Sequence, residues 1–223
     1  MSQLGGSDWF KLGDRDLGLH VVRTEALRSG ETLSSFTLRA SRAFAVDATI
    51  LPATDDELRT FVITPAGTFS FQEWFVARGH RDEVDGVDVR GRARAAPGVV
   101  DAIDSADMLL IGPSNPYVSV GPILAVAEIR AAIEARRVPC VAVSPLVGGR
   151  AVKGPADRML TRLAGGTTAA HVASAYAGLI DALVVDEGDD VSELDVHPIV
   201  TSTLMHDEAS RRRVAEAALS VPV

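Results

Sequence analysis

The chain has 223 residues, of which 47% are hydrophobic and 23% charged, and it carries a net charge of −8. This is enough for one domain with a real core, and the acidic balance argues against a nucleic-acid partner, because such binding relies on basic patches. The sequence has no signal-peptide pattern and no apolar run near the roughly 20 residues of a membrane span, so we expect a cytoplasmic protein with no membrane partner.

The first half of the chain predicts two helices followed by short strands. Apolar residues recur at helical spacing early on, and polarity then alternates in the manner of half-buried strands. A charged stretch with several Gly and Pro residues, 78–97, is the best boundary candidate, although part of it has a strand pattern of its own. The predicted helices are 17–27 and 34–43, and the predicted strands are 46–51, 59–64, 71–76 and the less certain 84–89.

The second half of the chain predicts an α/β layer with a mainly parallel sheet. Two short β-branched runs, 108–111 and 138–143, are typical of buried parallel strands, and the helical run 123–137 between them completes a βαβ crossover. We therefore predict a smaller α+β insertion over 1–97 and an α/β core over 98–223, within one integrated domain. The remaining predicted elements are a helix at 99–106, strands at 182–185 and 194–199, and a closing helix at 208–219.

The loops after the first two core strands suit a phosphorylated ligand. Parallel neighbours expose both loops, Pro113–Gly121 and Ser144–Gly154, at the same sheet edge, where open α/β sheets bind ligands. Small residues let backbone N–H groups approach an anion, Gly121–Pro122 starts a helix, and Gly148–Gly149 can form a nest. Further donors or positive charges come from Ser114, Asn115, Ser119, Arg150 and Lys153, and Pro155 suits the first turn of the next helix.

Ordinary packing explains the same loop composition equally well. Every connection from a strand to a helix needs caps and turn glycines. Composition alone therefore does not decide between ligand binding and a purely structural role of these loops.

Five segments of the chain resemble one known family, the phospholactate (or phosphoenolpyruvate) transferases that build the deazaflavin coenzyme F-420, also called CofD or FbiA. The segments follow the family's order and span most of the chain. They are DWFKLGDRDLGLHVVRT at Asp8–Thr24, LPATDD at Leu51–Asp56, FQEWFV at Phe71–Val76, SNPYVSVGPILAV at Ser114–Val126 and SPLVGGRAVKGPAD at Ser144–Asp157.

The resemblance implies a Rossmann-like three-layer core and a specific transfer reaction. A phospholactyl or phosphoenolpyruvyl group would move from a guanosine diphosphate-linked donor to the deazaflavin precursor FO, releasing GMP, with Mg²⁺ as the expected cofactor and a homodimer left open. No catalytic residue and no metal ligand is assigned. The predicted substrate-binding residues are Ser114, Asn115, Pro116, Ser119, Gly121, Ser144, Gly148, Gly149, Arg150, Lys153 and Asp14.

The N-terminal part of the sequence departs from the family pattern. Members of the family begin with a strand, a phosphate loop of the GGTGGAK kind and an NTGDD-type acidic segment, and the sequence has neither, so we expect the N-terminal βα units to be absent. The main magnesium ligands would lie in that segment, so we expect this chain alone to transfer poorly or not at all. A misplaced start codon, a split gene and a decayed copy all remain open, and in-frame coding sequence upstream of Met1 would discriminate among them.

Two alternatives to an active transferase stay open. One is a non-catalytic, nucleotide-sugar-binding regulator of the gluconeogenesis-factor type, which has a Gly-Ser-Leu type sequence where this chain has Ser114–Pro116. The other is an inactive or complementing fragment of the transferase.

Several other groups have chemical side chains but favour structural roles. Asp55 and Asp56 suit a capping box built by Thr54 and Glu57 better than a metal site. An acidic turn is favoured over a magnesium site for the group Asp186, Glu187, Asp189 and Asp190, whereas ligand binding and a surface turn are equally open for Asp14, Arg15 and Asp16.

The remaining candidates are favoured as packed or solvated residues. Cys140 lies in a predicted core strand and forms no CxxC motif, so we expect a buried side chain that only fills space in the core. Trp9 and Trp74 are expected in the core rather than stacked on a ligand. The five histidines, His20, His80, His171, His197 and His206, have no zinc-site spacing.

Overall fold

The computed structural model describes residues 12–221, and two larger sheets, together with a two-stranded hairpin, organise this part of the chain. Helices α1 (Asp14–Arg28) and α2 (Leu33–Ala43) come first and pack against each other. The hydroxyl of Thr32 accepts a hydrogen bond from the backbone N–H of Ser35 and so caps α2. Both predicted helices are confirmed, with α1 longer at its start.

The predicted strand at 46–51 is wrong. The segment leaves α2 through Ala45, which has a positive φ of 51°, and then runs as irregular chain. Val46, Ile50 and Leu51 are exposed. Alternating polarity makes a strand only where a neighbouring strand supplies hydrogen bonds, and this segment has no such neighbour.

An antiparallel sheet of three strands follows, in the order β2-β1-β3. Strand β1 is confirmed as predicted, and β3 matches the less certain strand pattern. The predicted strand 71–76 is wrong, because Glu73–Ala77 is a π-helical turn. Its aromatic residues Phe71, Trp74 and Phe75 have helical spacing, which puts all three on one side of the turn. The strands are β1 (Arg59–Thr64), β2 (Gly67–Ser70) and β3 (Gly86–Arg90).

The second sheet has four parallel strands in the order β4-β5-β8-β9. Three of them agree with the sequence prediction, and the fourth is displaced toward the C-terminus from the predicted 194–199. Every residue of β5 and β8 is buried, as expected for central parallel strands. The strands are β4 (Leu109–Ile111), β5 (Cys140–Val143), β8 (Ala182–Val185) and β9 (His197–Val200).

Helices cover both faces of this sheet, which confirms the predicted three-layer α/β core. On one face, Ala142 and Leu183 pack with Leu160 and Val172 of the helices α6 (Ala156–Ala164) and α7 (Ala169–Ser174). On the other face, the two central strands pack against α8 (Glu208–Leu219), whose buried apolar residues are Val214 and Ala218. The alternation of side chains along each strand divides the core between these two layers.

The predicted helix 123–137 is broken. The chain is already helical in a π-helical turn, Pro116–Val120, and continues as α4 (Gly121–Leu124). It then stops at Val126, whose ψ of 106° is extended and whose side chain is fully buried, before α5 (Ala127–Ala135) begins. Burial of Val126 against the core overrides the continuous helical pattern of the sequence.

The remaining described elements are one short helix and one hairpin. The helix α3 (Val99–Asp104) matches the predicted 99–106, and the hairpin consists of β6 (Leu146–Val147) and β7 (Arg150–Ala151). The antiparallel sheet contacts the core where Val62 and Trp74 pack with Met159 of α6. The division at residue 97 stays a prediction. None of the helices within residues 12–221 combines the length and apolarity that a membrane crossing needs.

Candidate functional site

A cavity of about 460 Å³ lies at the carboxyl ends of β4 and β5, between the two loops that the sequence singles out. This is the edge at which open parallel sheets bind ligands. Five of the predicted residues line it, namely Ser114, Asn115, Ser119, Ser144 and Lys153. The other lining residues are Phe71, Phe75, Pro113, Val118, Pro145, Val147, Val152, Gly154, Pro155, Ala156, Thr203, Leu204 and Met205.

Three of the polar side chains that line this cavity remain available to a ligand. Ser114, Ser119 and Lys153 are exposed, and within residues 12–221 their side chains make no hydrogen bond or ion pair. Among the described residues, Lys153 is the positively charged side chain of the lining, and no carboxylate belongs to it. The two hydroxyls and the ammonium group can therefore bind a phosphate without first breaking a bond within this part of the protein.

Asn115 and Ser144 have structural partners instead. The side-chain oxygen of Asn115 accepts hydrogen bonds from the backbone N–H groups of Tyr117 and Val118, at 2.9 and 3.3 Å, and its amide group contacts the sulfur of Met159. Ser144 is buried, and its hydroxyl accepts from the N–H of Leu146 at 3.2 Å. These two residues shape the loops, and within residues 12–221 the bonds they make leave a ligand the hydroxyl proton of Ser144 and one amide hydrogen of Asn115.

The helix after the first loop begins earlier than Gly121. Asn115 caps the π-helical turn that starts at Pro116, and Gly121 continues the helix. Pro116 is buried, and a Cβ at Gly121 would lie 3.0 Å from the carbonyl oxygen of Pro116. Pro116 and Gly121 therefore serve close packing, and the helix N-terminus that adjoins the cavity lies at Asn115 rather than at Gly121. Similarly, Pro155 precedes α6 as its N-cap residue.

The glycine pair Gly148–Gly149 forms the tight turn between β6 and β7. Both residues have positive φ, 57° and 72°, which is the conformation of the predicted nest. The N–H of Gly149 donates to the carboxylate of Asp189 at 2.8 Å, and the same carboxylate accepts from the N–H of Asp186 at 3.1 Å. The anion of this nest is a side chain of the protein itself.

Arg150 and Asp14 also lie outside the cavity lining. Arg150 is exposed at the start of β7, and Asp14 is exposed in the first turn of α1. The structure therefore brings together five of the eleven predicted residues and leaves Pro116, Gly121, Gly148, Gly149, Arg150 and Asp14 beyond the lining.

The sequence prediction missed an aromatic wall and a segment after β9. The rings of Phe71 and Phe75 are stacked, with centroids 5.3 Å apart, and both residues line the cavity. Thr203 lies in the segment after β9 and is held by Asp186. The Asp186 carboxylate accepts hydrogen bonds from the Thr203 N–H at 2.9 Å and from the Thr203 hydroxyl at 3.3 Å. The FQEWFV motif contains both phenylalanines of this wall. Its interpretation as a strand did not show that Phe71 and Phe75 lie on the same side of the chain.

A larger, apolar cavity of about 510 Å³ adjoins the first, along the open side of β4. Both cavities include Ser114 and Ser119, but the rest of the second lining is almost entirely aliphatic, with Leu110 and Ile123 half-exposed. It offers an anion no charged side chain. The smaller cavity with Lys153 is therefore the candidate site.

The acidic groups hold loops rather than facing the cavity. The predicted capping box at Thr54 is wrong because no helix follows it. Instead, Asp55 accepts from the N–H and hydroxyl of Ser34, at 2.7 and 2.9 Å, and Asp56 accepts from the N–H of Arg94 at 2.9 Å. Within residues 12–221 no group of three His, Cys, Asp or Glu side chains is arranged to hold a metal ion.

The predicted turn at 186–190 is confirmed, since Asp186 and Asp189 accept backbone hydrogen bonds within it. Burial raises the pKa of Asp189, although hydrogen bonds from Gly149 and Asp186 oppose the shift.

The expected core residues are buried. Trp74 is fully buried, which rules out stacking on a ligand, whereas Trp9 lies outside the described residues. Cys140 is fully buried in β5, and burial raises the pKa of its thiol to about 11, so it is not a thiolate at neutral pH. His171 accepts from the N–H of Thr168 in the cap of α7.

A parallel sheet with helices on both faces and a cavity at its carboxyl edge is the arrangement in which α/β proteins bind small ligands. The sequence comparisons specify the class further. The pattern of the family described as 2-phospho-L-lactate transferase CofD matches residues 5–219, and the chain belongs to this family. It is an enzyme of the transferase class.

Curated relatives agree with this family assignment. A 2-phospho-L-lactate transferase from Methanosarcina mazei is 34% identical over 97% of this chain and 73% of its own length. A relative of the same name from Haloarcula marismortui is 38% identical over 96% of the chain and 63% of its length. A phosphoenolpyruvate transferase from Mycolicibacterium smegmatis is 36% identical over 96% and 69%.

A solved structure shares the fold. A protein of the UPF0052 family from Bacillus halodurans superposes with a TM-score of 0.66 over 92% of this chain and 71% of that protein, at 18% identity. At this identity the likeness supports the α/β fold alone.

Proposed function

We propose that the protein transfers a phospholactyl or phosphoenolpyruvyl group from a guanosine diphosphate-linked donor to the deazaflavin precursor FO, with release of GMP, in coenzyme F-420 biosynthesis. The observation that carries the proposal is the set of free donors, Ser114, Ser119 and Lys153, in one cavity of a chain from this family. Relatives named for the lactate and for the enolpyruvate donor both match, so the proposal covers both.

Phosphoryl chemistry of this kind depends on positioning and charge neutralisation, which the free donors can supply. The ribityl hydroxyl of the acceptor attacks the phosphorus that carries the lactyl or enolpyruvyl group. The bond from this phosphorus to the bridging oxygen breaks, and GMP leaves with that oxygen while the hydroxyl proton passes to solvent. Lys153 neutralises charge on the phosphate oxygens, and the hydroxyls of Ser114 and Ser119 donate to them.

The aromatic wall of Phe71 and Phe75 offers a ligand a second kind of contact in the cavity. Phe71 and Phe75 line the cavity with stacked rings, and flat heterocycles such as guanine and deazaflavin pack well against aromatic side chains. In the proposal, one flat ring of the substrates lies against this wall while the phosphate faces Lys153.

Mg²⁺ enters the proposal only as an ion that accompanies the diphosphate of the donor. Hard cations prefer carboxylate oxygens, and the cavity lining has none. The described residues therefore do not fit a protein-held magnesium site, and no step of the transfer is assigned to the ion.

Calorimetry with GDP, in the presence and absence of Mg²⁺, tests the ligand assignment. We expect binding by the folded chain, and a folded chain that binds no GDP would contradict the assignment of a guanosine ligand. Lys153→Gln should weaken binding about tenfold or more, because a hydrogen bond to a charged group contributes roughly 1.5–3 kcal/mol. Arg150→Gln is the matched control, since Arg150 lies outside the cavity lining, and it should bind as the unchanged protein does.

Turnover is tested separately with the lactyl and the enolpyruvyl donor, FO and chromatographic detection of GMP and product. Product with either donor supports the transferase proposal and identifies the acyl group. GDP binding without product from either donor would favour the inactive or complementing fragment over the active transferase.

A further inference from the structure

His80 ends the turn that follows the π-helical segment Glu73–Ala77, next to the aromatic wall of Phe71 and Phe75. Its backbone N–H donates to the carbonyl oxygen of Trp74 at 2.8 Å. His80 has a positive φ of 44°, a left-handed conformation that glycine adopts freely and other residues adopt at a cost. Such a residue persists only where the surrounding structure holds it, and residues of this kind cluster at ligand sites.

The imidazole ring of His80 extends the aromatic wall by one ring. Its centroid lies 5.1 Å from that of Phe75 with 30° between the ring planes, and Phe75 is stacked in turn on Phe71 at 5.3 Å. Phe75 takes part in both contacts and is therefore the central ring. Phe71 and Phe75 line the cavity, whereas His80 is not among the described residues of the lining. His80 thus supports the wall from outside the cavity.

The edge of the Phe75 ring lies against the loop that carries Lys153. A Cβ built on Gly154 would lie 3.8 Å from Cε2 of Phe75, which is an ordinary van der Waals distance. The position of the Phe75 ring therefore sets the space between the aromatic wall and the lysine that faces the phosphate in the proposed function.

Hydrogen bonding at Nδ1 does not explain why a histidine is placed here. Among the described residues, Nδ1 of His80 is buried and has no hydrogen-bond partner. A buried polar atom without a partner costs free energy, so packing must compensate for it. The packing partners of the ring are Phe75 and Trp74, whose centroid lies 6.1 Å away.

The turn is held by bonds that do not involve the imidazole. Arg78 donates through two nitrogens to the two carboxylate oxygens of Asp82, both at 2.6 Å, and the indole nitrogen of Trp74 donates to the carbonyl oxygen of Asp82 at 3.4 Å. A change of the His80 side chain therefore leaves the anchors of the turn in place.

We propose that His80 is a positioning residue, which holds Phe75 so that the aromatic wall presents a fixed surface to the guanine ring of a guanosine diphosphate ligand. The inference rests on the proposed function, because that function supplies the ligand. A side chain that is already fixed loses little conformational freedom when the ligand binds, and this strengthens binding. His80 acts through Phe75 and exchanges no proton with the substrates.

Two variants separate the ring of His80 from its other properties. Asn tolerates a positive φ, so His80→Asn removes the ring without adding backbone strain, whereas His80→Phe keeps a ring and removes both nitrogens. We expect His80→Asn to weaken GDP binding about two- to tenfold, the size of one aromatic contact. His80→Phe should restore the affinity of the unchanged protein. Loss of affinity in both variants would show that the nitrogens matter and would overturn the inference.

Calorimetry with inorganic pyrophosphate distinguishes the ring contact from a general disturbance of the site. Pyrophosphate has the charged groups of GDP without its ring, so its affinity should be the same in the unchanged protein and in both variants. An equal loss for GDP and pyrophosphate in His80→Asn would overturn the inference. Arg81→Asn is the matched control, since Arg81 is the exposed neighbour of His80 in the same turn and lies outside the described lining. It should bind GDP as the unchanged protein does.

The position of Phe75 is tested without a ligand by NMR of protein with labelled phenylalanine rings, with the Phe75 signals assigned from a Phe75→Leu variant. The Phe75 ring should flip faster in His80→Asn than in the unchanged protein or in His80→Phe, because one of its stacked neighbours is missing. An unchanged flip rate in His80→Asn would overturn the inference while the proposed function stands. Absence of GDP binding by the unchanged protein would instead contradict the proposed function, and the flip rate would then decide the role of His80 by itself.

Discussion

The loops that follow β4 and β5 are both rich in Gly, Pro and Ser, but their polar groups differ in whether they are free to bind an anion. The first loop leaves the hydroxyls of Ser114 and Ser119 free and facing the cavity. The tight turn of the second loop binds the carboxylate of Asp189 through Gly149, and the charged side chain that this loop offers the cavity, Lys153, comes from the segment after the hairpin. A Gly-rich loop is thus a ligand site only where no side chain of the protein already occupies it.

The largest expected effect is the loss of stability that Asp189→Ala causes in the second loop. The variant leaves the N–H groups of Gly149 and Asp186 without their acceptor, and an unsatisfied, partly buried donor costs about 1–3 kcal/mol. We expect a loss of that size in the free energy of unfolding, measured by urea denaturation. GDP affinity should change little. If stability stayed the same while GDP affinity fell, the hairpin would belong to the binding site after all.

A smaller effect is expected from Asn115→Ala in the first loop. The variant removes the acceptor of the Tyr117 and Val118 N–H groups and should cost about 1 kcal/mol, as for other caps. Asn115→Asp keeps an acceptor and is the control for stability. Thermal unfolding of both variants provides the measurement. Equal stability of the two variants would show that the capping bonds do not hold this loop.

The smallest expected effect is a pH dependence at Asp189. Burial raises the pKa of this carboxyl above its usual value, so the folded protein binds its proton more readily than the unfolded chain does. Its contribution to stability therefore rises as the pH falls through the raised pKa toward the unfolded value near 3.9. Relative to Asp189→Asn, the unchanged protein should gain stability between neutral and acidic pH. A constant difference in unfolding free energy across that range would contradict the raised pKa.

Local patterns predicted the sheet core correctly. The runs that became β4, β5 and β8 are short, β-branched and flanked by turns, and α8 matches its predicted bounds because its spacing and its capping residue Asp207 agree. In each of these elements, local preference and tertiary burial favour the same structure.

The errors arose where partners distant in sequence decide the conformation. Residues 46–51 alternate like a strand but have no neighbouring strand, and burial of Val126 divides a continuous helical pattern. The partner of Gly149 is forty residues away, so no local rule could reveal that its N–H is already bound.

The sequence by itself determined the α/β class, the two strands that frame the candidate site and the family resemblance, because periodicity and motifs are local properties. Only the tertiary structure decided which predicted donors stay free. Ser114, Ser119 and Lys153 meet in one cavity, whereas Asn115, Ser144 and Gly149 bind other parts of the chain. The physical reason is that a polar group has limited hydrogen-bonding capacity, and the folded chain can use it before any ligand does.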